Sequence, residues 1–148
     1  MSIPSPMRIK KDGVEFVDCV DRTNYTIREL TRAAMKDVAR FLRKRAVVKF
    51  KTLPGLRRSR RVYNSVQYWV RKQECDLQIG IKHGTWYGVE EELGSERMAK
   101  KGFLYETVAE NIDTIRDIEG QYLSAIEDEQ RALALIDESE EVGDGYKD

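Results

Sequence analysis

The sequence predicts an α+β fold, in which an antiparallel sheet of three to four strands packs against a long N-terminal helix and a long C-terminal helix. Apolar residues recur at spacings of three and four in two long stretches, which begin near Ile27 and near Phe103, and this spacing is typical of amphipathic helices. Between these stretches, apolar and polar residues alternate in two short segments, as they do in paired strands. With 148 residues, 41% of them hydrophobic, the chain is long enough to bury a core.

Two segments precede the first helix. Residues 1–13 contain Pro4, Pro6 and Gly13 and show no periodic pattern, so we expect a flexible arm there. Residues 14–20 are rich in β-branched and aromatic side chains and are short enough for a strand. A single domain is therefore expected to begin at residue 14.

The first helix is predicted to begin after Thr26. Thr26 and Glu29 have the spacing of a capping box, in which the threonine oxygen accepts a hydrogen bond from the backbone N–H of residue 29. An apolar stripe then lies opposite a face of arginines and lysines. The stripe consists of Ile27, Leu30, Ala34, Val38, Phe41 and Leu42. Because Pro54 and Gly55 cannot continue a helix, this one ends at or before Leu53.

The densest basic cluster of the chain follows at residues 56–61. It contains Arg57, Arg58, Arg60 and Arg61. We expect a loop here, since a run of basic residues most often forms a loop that is exposed to solvent. The alternative is a loop that contacts phosphate groups or an acidic protein surface.

An antiparallel hairpin is predicted after this basic loop. In residues 62–72, Val66 and Val70 share one face of a strand, and residues 77–81 alternate in the same way. Residues 87–93 are expected to add a third strand at the edge of the sheet.

The C-terminal helix is predicted to begin at Phe103 and to present one long apolar stripe. The stripe consists of Leu104, Val108, Ile112, Ile115, Ile118, Tyr122 and Ile126. The single domain is expected to span residues 14–136, because residues 137–148 are acidic and contain glycine, and we expect a disordered tail there. One apolar core is expected between sheet and helices. Its members are Phe41, Leu42, Val66, Ile79, Phe103, Val108, Ile112 and Ile115.

The charges divide the chain into two opposite halves, although the formal net charge is +0. Residues 1–73 hold 19 Lys/Arg and 6 Asp/Glu, whereas residues 74–148 hold 7 Lys/Arg and 20 Asp/Glu, which gives +13 against −13. Two interpretations stay open. The halves pair with each other inside one subunit, or the basic side of one subunit meets the acidic side of the next copy.

The sequence lacks the residue sets that catalysis, metal binding or membrane insertion needs. His83 is the single histidine, and Cys19 and Cys75 are too few for zinc coordination of a familiar spacing. The glutamates at residues 90–92 would alternate faces of an extended segment, which is poor geometry for a pair of catalytic carboxylates. No stretch approaches the roughly 18 apolar residues of a membrane span. We therefore predict an intracellular protein that is not an enzyme and has no cofactor and no metal.

A series of features runs in a fixed order along residues 22–126. A basic amphipathic helix is followed by a break at Pro54 and Gly55, a hairpin, an aromatic and acidic segment that ends at Gly94, and Phe103 at the start of the last helix. In this order the features resemble the tail-completion proteins of long-tailed bacteriophages, which join the tail to the neck below the capsid.

The chain departs from the pattern of that family at three positions. Threonine is missing before Gly55, Ser95 replaces a threonine, and Gly102 stands where proline would precede Phe103. The order and spacing of the features, rather than any single motif, carry the resemblance.

The resemblance implies a small α+β subunit that forms a ring, usually of six copies, at the top of the tail tube. Its partners would be further copies and other phage neck and tail proteins, with nucleic acid present only as the genome that passes through the ring. The protein would reside in the virion neck, and in the host cytoplasm during assembly. We expect subunit or partner contacts at Arg57, Arg58, Arg60, Arg61, Trp86, Tyr87, Glu90, Glu91 and Glu92.

Two alternatives remain. A tail-terminator or head-closure role is a close neighbour within the phage interpretation. The other alternative is a small nucleic-acid-binding module that uses the basic loop between Arg57 and Arg61. In that case Trp69, Trp86 and Tyr87 would be stacking platforms for bases, whereas in a structural protein they would fill the core or a subunit interface.

Overall fold

The computed structural model describes residues 3–141, with the backbone alone at residues 56–59. Within these residues the elements in chain order are β1 (Met7–Lys11), β2 (Val14–Asp18), α1 (Val20–Phe50), α2 (Leu56–Asn64), β3 (Val66–Val70), β4 (Leu77–Ile81), α3 (Trp86–Leu93), α4 (Phe103–Glu110), α5 (Ile112–Leu123) and α6 (Glu129–Glu141). The strands form two separate antiparallel sheets, β1–β2 and β3–β4. The mixture of helix and sheet is confirmed, whereas the prediction of one sheet with three to four strands is wrong.

An N-terminal hairpin occupies part of the segment predicted to be an arm. β1 and β2 are joined by Asp12 and Gly13, whose φ angles are 51° and 82°. Two successive positive φ angles are typical of a type I′ turn, for which Asp-Gly is a favoured pair. Residues 7–11 are therefore a strand, and the strand predicted at residues 14–20 ends at Asp18.

Helix α1 is 31 residues long and begins earlier than the predicted capping box. The N–H of Val20 donates to Asp18 Oδ1 at 2.9 Å, which satisfies one of the free donors at the helix start. Thr26 lies within the helix, where its hydroxyl donates to the carbonyl four residues earlier at 3.0 Å. The capping box is therefore wrong, while the predicted end of the helix before Leu53 is confirmed at Phe50.

The hairpin predicted in the middle of the chain is confirmed. β3 and β4 pair with Val66 opposite Ile81 and with Val70 opposite Leu77. Arg43 of α1 donates from Nε to the carbonyl of Val66 at 3.0 Å, so the start of β3 is tied to the long helix.

Two segments that the sequence predicts as a loop and a strand are helices. The basic residues 56–61 lie in α2, which also takes up residues 62–64 of the predicted strand. Arginine is a good helix former, and burial of Val62 fixes one face of this short helix. The predicted edge strand at residues 87–93 is α3, because its three successive glutamates are also good helix formers.

Three helices, rather than one, follow Gly102. α4 and α5 are separated at Asn111, whose φ of −117° departs from helical values. α6 includes residues 137–141, which the sequence assigned to a disordered tail. Residues 142–148, the rest of that predicted tail, lie outside the described residues. None of the helices in the described part of the chain is both long and apolar enough to cross a membrane.

The buried side chains form two apolar clusters, one towards each end of α1. The first cluster consists of Leu30, Ala33, Ala34, Tyr122, Ala125, Ala132 and Ile136. The second cluster consists of Ala46, Phe50, Leu53, Val62 and Val66, with Ile79, Ile81, Tyr87, Phe103 and Leu104 packed against it. The prediction of one core is therefore wrong. In particular, Val108 and Ile112 are 36% and 44% exposed, because the break at Asn111 interrupts the predicted stripe.

An aromatic pair forms the centre of the second cluster, and it predicts unequal effects of two substitutions. Phe50 is fully buried, and its ring meets that of half-buried Phe103 edge-on, with the centroids 5.5 Å apart. Phe50→Ala should lower the free energy of unfolding by about 3–5 kcal/mol, since it leaves a cavity in the cluster. Phe103→Ala should cost less. Urea denaturation of both variants measures the two losses of stability. A smaller loss for Phe50→Ala than for Phe103→Ala would show that Phe50 is not the centre of the second cluster.

A buried tyrosine joins α5 to α1. The hydroxyl of Tyr122 donates to Asp37 Oδ2, and Asp37 also pairs with Arg40. Burial raises the pKa of Tyr122 above its ordinary value of 10.0, and the hydrogen bond to Asp37 raises it further. Removal of the phenolic proton would leave two negative charges in contact.

This raised pKa predicts a loss of stability in alkaline solution. Above about pH 10 the unfolded chain ionises Tyr122, whereas the folded protein retains the proton. The stability that the contact contributes is therefore fully present below that pH and is lost above it. Tyr122→Phe should make the free energy of unfolding fall less steeply between about pH 9 and 11 in urea titrations. Tyr105→Phe, at an exposed tyrosine of α4, is the control, and identical slopes for both variants would contradict the prediction.

Candidate partner-binding surface

A pocket of about 590 Å³ lies between α2, the end of β4 and the start of α3. Its lining includes Arg60, Arg61, Lys82, Thr85, Trp86 and Tyr87. We call it the basic–aromatic pocket. Four of the residues predicted at partner contacts, Arg60, Arg61, Trp86 and Tyr87, thus meet in one place. The side chains of Arg57 and Arg58 lie outside the described set.

Helix α2 determines where the two arginines lie. It follows Gly55, whose φ of 88° is a conformation that glycine adopts without strain. Val62 is fully buried in the second cluster, and the hydroxyl of Ser65 donates to its carbonyl at 2.6 Å. Because these contacts fix one face of the helix, Arg60 and Arg61 stay exposed at the pocket.

Two aromatic rings form the other side of the pocket. The rings of Trp86 and Tyr87 have centroids 3.7 Å apart and an interplanar angle of 38°. Tyr87 packs against the second cluster, whereas Trp86 is 56% exposed. Trp69, on β3, is also exposed. A core role is therefore wrong for both tryptophans, and Trp86 offers an aromatic face beside cations.

A close approach of backbone to side chain places α3. A Cβ atom added at Gly88 would lie 2.9 Å from the Ile81 side chain, so a larger residue would force the Ile81 side chain or the helix to move. The position of Trp86 and Tyr87, at the start of the same helix, depends on this contact.

The three glutamates predicted at partner contacts point in different directions, because successive residues of a helix are about 100° apart. Glu91 is 1% exposed and pairs with Lys101 Nζ at 2.9 Å. Glu92 accepts hydrogen bonds from the N–H groups of Leu104 and Tyr105 at 2.9 and 3.2 Å, and thereby satisfies donors in the first turn of α4. Both carboxylates are thus engaged within the subunit, while Glu90 is half-buried.

Ion pairs between the two oppositely charged halves hold both ends of α1. Arg22 pairs with Glu129 of α6, and Lys49 pairs with Glu106 and Glu110 of α4 at 3.2 and 2.8 Å. Partial burial lowers the pKa of Lys49, but the hydrogen bonds to Glu110 and Glu106 outweigh this effect and the pKa is raised. Internal pairing therefore accounts for part of the charge division, whereas the cations of the basic–aromatic pocket are exposed to solvent.

A second surface lies on the N-terminal hairpin. The register places Met7, Ile9, Val14 and Phe16 on one face, where they are between 51% and 69% exposed. We call these four residues the hairpin apolar face. Lys11 and Asp18 lie at the two ends of the same face. The opposite face carries Arg8, Lys10, Glu15 and Val17, with a weak ion pair of 3.7 Å between Arg8 and Glu15. Nearly all of the hairpin is exposed, so little of the described chain covers this apolar face.

Sequence reasoning missed Lys82 and the hairpin apolar face. Lys82 comes directly after the predicted strand at residues 77–81, near a glycine turn, which is a signal for a side chain at a sheet end. The hairpin had a stronger signal, since Asp-Gly between alternating segments favours a type I′ hairpin. Within the described residues, no group of three or more His, Cys, Asp or Glu is placed to hold a metal ion.

The chain has no significant match to a family model, to a curated protein or to a solved structure. The resemblance to phage tail-completion proteins therefore stays a prediction from the sequence.

The packing of α3 predicts different effects for one substitution at two glycines. Gly88→Val should destabilise the protein by about 1–3 kcal/mol, since the added atoms overlap Ile81 and displace the helix. Gly120→Val is the matched control, because a Cβ there meets nothing within 4 Å. Urea denaturation and Trp86 fluorescence, in a Trp69→Phe background, measure both effects. Equal stability of the two variants would show that Gly88 does not determine the position of α3.

Proposed function

We propose that the chain is a structural subunit that assembles with copies of itself into a ring joining the tail of a long-tailed bacteriophage to its head. The observation that carries self-assembly is the hairpin apolar face, which leaves four large apolar side chains in water. An isolated two-stranded hairpin is marginally stable at best. Full burial of a side chain of this kind contributes about 1.5–3 kcal/mol, so a protein surface that covers the face stabilises both the hairpin and the assembly.

The order of the elements supports the phage role. A long basic helix, a hairpin, an aromatic and acidic segment and a helix that begins at Phe103 follow one another in the order that the resemblance implies. The partners would then be further copies and other neck and tail proteins. The protein would act in the virion neck after assembly in the host cytoplasm, and a terminator or head-closure position is the nearest variant of this role.

A second candidate function is nucleic-acid binding, and the basic–aromatic pocket favours it. Arg60, Arg61 and Lys82 line the same pocket as exposed Trp86. Cations that contact phosphate beside a ring that stacks on a base are the usual combination in proteins that bind single strands. In the structural role the same cations contact an acidic protein surface, such as the carboxylate-rich second half of a neighbouring copy.

One pair of variants separates the two functions. Arg60→Ser/Arg61→Ser should weaken assembly in light scattering and leave the monomer folded, because exposed charges contribute little to stability. Lys72→Ser/Arg97→Ser removes the same charge at two exposed positions elsewhere and should leave assembly unchanged. Assembly through charges should also weaken with salt, as the Debye length falls from roughly 10 Å at 0.1 M to about 3 Å at 1 M.

Nucleic-acid binding is measured on the same proteins by fluorescence anisotropy across a salt series. Two arginines that neutralise two phosphates of a duplex contribute about −1.8 to the slope of log affinity against log salt. A wild-type chain that stays monomeric and binds nucleic acid tightly, with binding lost in Arg60→Ser/Arg61→Ser alone, would replace the structural role with the nucleic-acid one.

A further inference from the structure

A shallow groove between α1 and α5 has the chemistry that the hairpin apolar face requires. Its cavity is about 170 Å³. The lining includes Leu30, Ala34, Met35, Tyr122, Leu123 and Ile126. Leu123 is 62% exposed, so apolar surface continues from the groove to its rim. We call this surface the α1–α5 groove.

We propose that the hairpin apolar face of one copy docks in the α1–α5 groove of the next copy. The proposal rests on the self-assembly argued above and names the contact that produces it. Both surfaces are apolar, and both have exposed side chains. All four residues of the hairpin apolar face are exposed, and Leu123 and Ile126 are exposed at the rim of the groove, whose floor is formed by buried Leu30, Ala34 and Tyr122.

Charge complementarity favours this pairing and gives it a direction. Strand β1 carries Arg8, Lys10 and Lys11 and no carboxylate. Residues 112–128, which form one wall of the groove and its continuation, contain five carboxylates and one arginine. Glu119 lines the groove itself. A cationic strand beside an acidic wall steers the apolar surfaces together and disfavours the reverse orientation.

The connection between hairpin and helix favours the next copy over the same copy. Cys19 is the only residue between β2 and α1, and the hydrogen bond from Val20 to Asp18 fixes that junction. Leu30, the first groove residue of α1, lies ten residues beyond Val20, roughly 15 Å along the axis. To reach its own groove, the hairpin would have to reverse at one residue and break that hydrogen bond.

A contact between two different surfaces is head-to-tail. Such contacts propagate from copy to copy, and they close into a ring when the rotation per copy permits. The docking thus supplies the kind of interface that a ring needs, and each subunit both offers a hairpin and receives one.

Two variants of the full chain test the docking. Phe16→Ser removes the largest side chain of the hairpin apolar face, and Leu123→Ser removes an exposed side chain of the groove. Each should weaken self-association by about tenfold or more in light scattering, because each loses apolar contact in the complex. Val48→Ser is the matched control, since Val48 is a 63% exposed apolar residue elsewhere on α1, and it should assemble like the wild type.

Mixing the two variants provides the decisive measurement. Phe16→Ser retains an intact groove and Leu123→Ser retains an intact hairpin, so an equimolar mixture should form a dimer and nothing larger. A mixture without the dimer, or assembly of either variant equal to the wild type, would overturn the docking.

If the wild type still forms closed rings although the docking is overturned, the proposed function survives. A dimer in the mixture together with open filaments of the wild type would leave the docking intact and overturn the ring. A wild-type chain that stays monomeric overturns both.

Discussion

Burial of the long face of α1 is the interaction on which the globular part of this protein depends. A helix of 31 residues is roughly 46 Å long, which is more than one small core can cover. The chain covers it twice, with α5 and α6 at one end and with α2 and the β3–β4 sheet at the other. Val38, Ala39 and Leu42 are also buried, on the part of α1 that lies between the two clusters. The alanines in this face allow the surrounding elements to approach closely, so each cluster is compact although neither is large.

The basic–aromatic pocket depends on the second cluster. Burial of Val62 turns Arg60 and Arg61 outward, and the contact between Gly88 and Ile81 determines where Trp86 lies. The C-terminal end of the same helix α3 caps α4 through Glu92, and α4 begins with the ring that packs on Phe50. The pocket is therefore formed by helices that are all anchored to one group of apolar side chains. A change in that group would move the charged and aromatic groups together.

Local signals were sufficient for α1 and for the β3–β4 hairpin, because periodicity over many residues reports burial of one face directly. They were insufficient for the short elements. Alternation in residues 62–72 extended the predicted strand into residues 62–64, which belong to α2 and are anchored there by burial of Val62. At residues 87–93, the aromatic residues favoured a strand in the prediction, although the three glutamates that follow them favour a helix. The cap that Glu92 provides joins residues 12 positions apart, so no local pattern contains it. The sequence predicted four residues of the basic–aromatic pocket. It did not predict Lys82, which reaches the pocket only because β3 pairs with β4.

The charged side chains of the N-terminal hairpin determine which of its surfaces can bind another protein. An exposed strand edge is a template for indiscriminate pairing, and lysines on an edge strand are one way in which proteins prevent it. Strand β1 carries Lys10 and Lys11, and the face that includes Lys10 also bears the pair of Arg8 with Glu15. Pairing of edges or of these polar faces would therefore bring like charges together or cover charge without compensation. The hairpin apolar face is the remaining surface that gains by burial. The cations of β1 that oppose edge pairing also attract an acidic groove. Although the charges of the chain sum to zero, their segregation therefore gives the association of copies one direction.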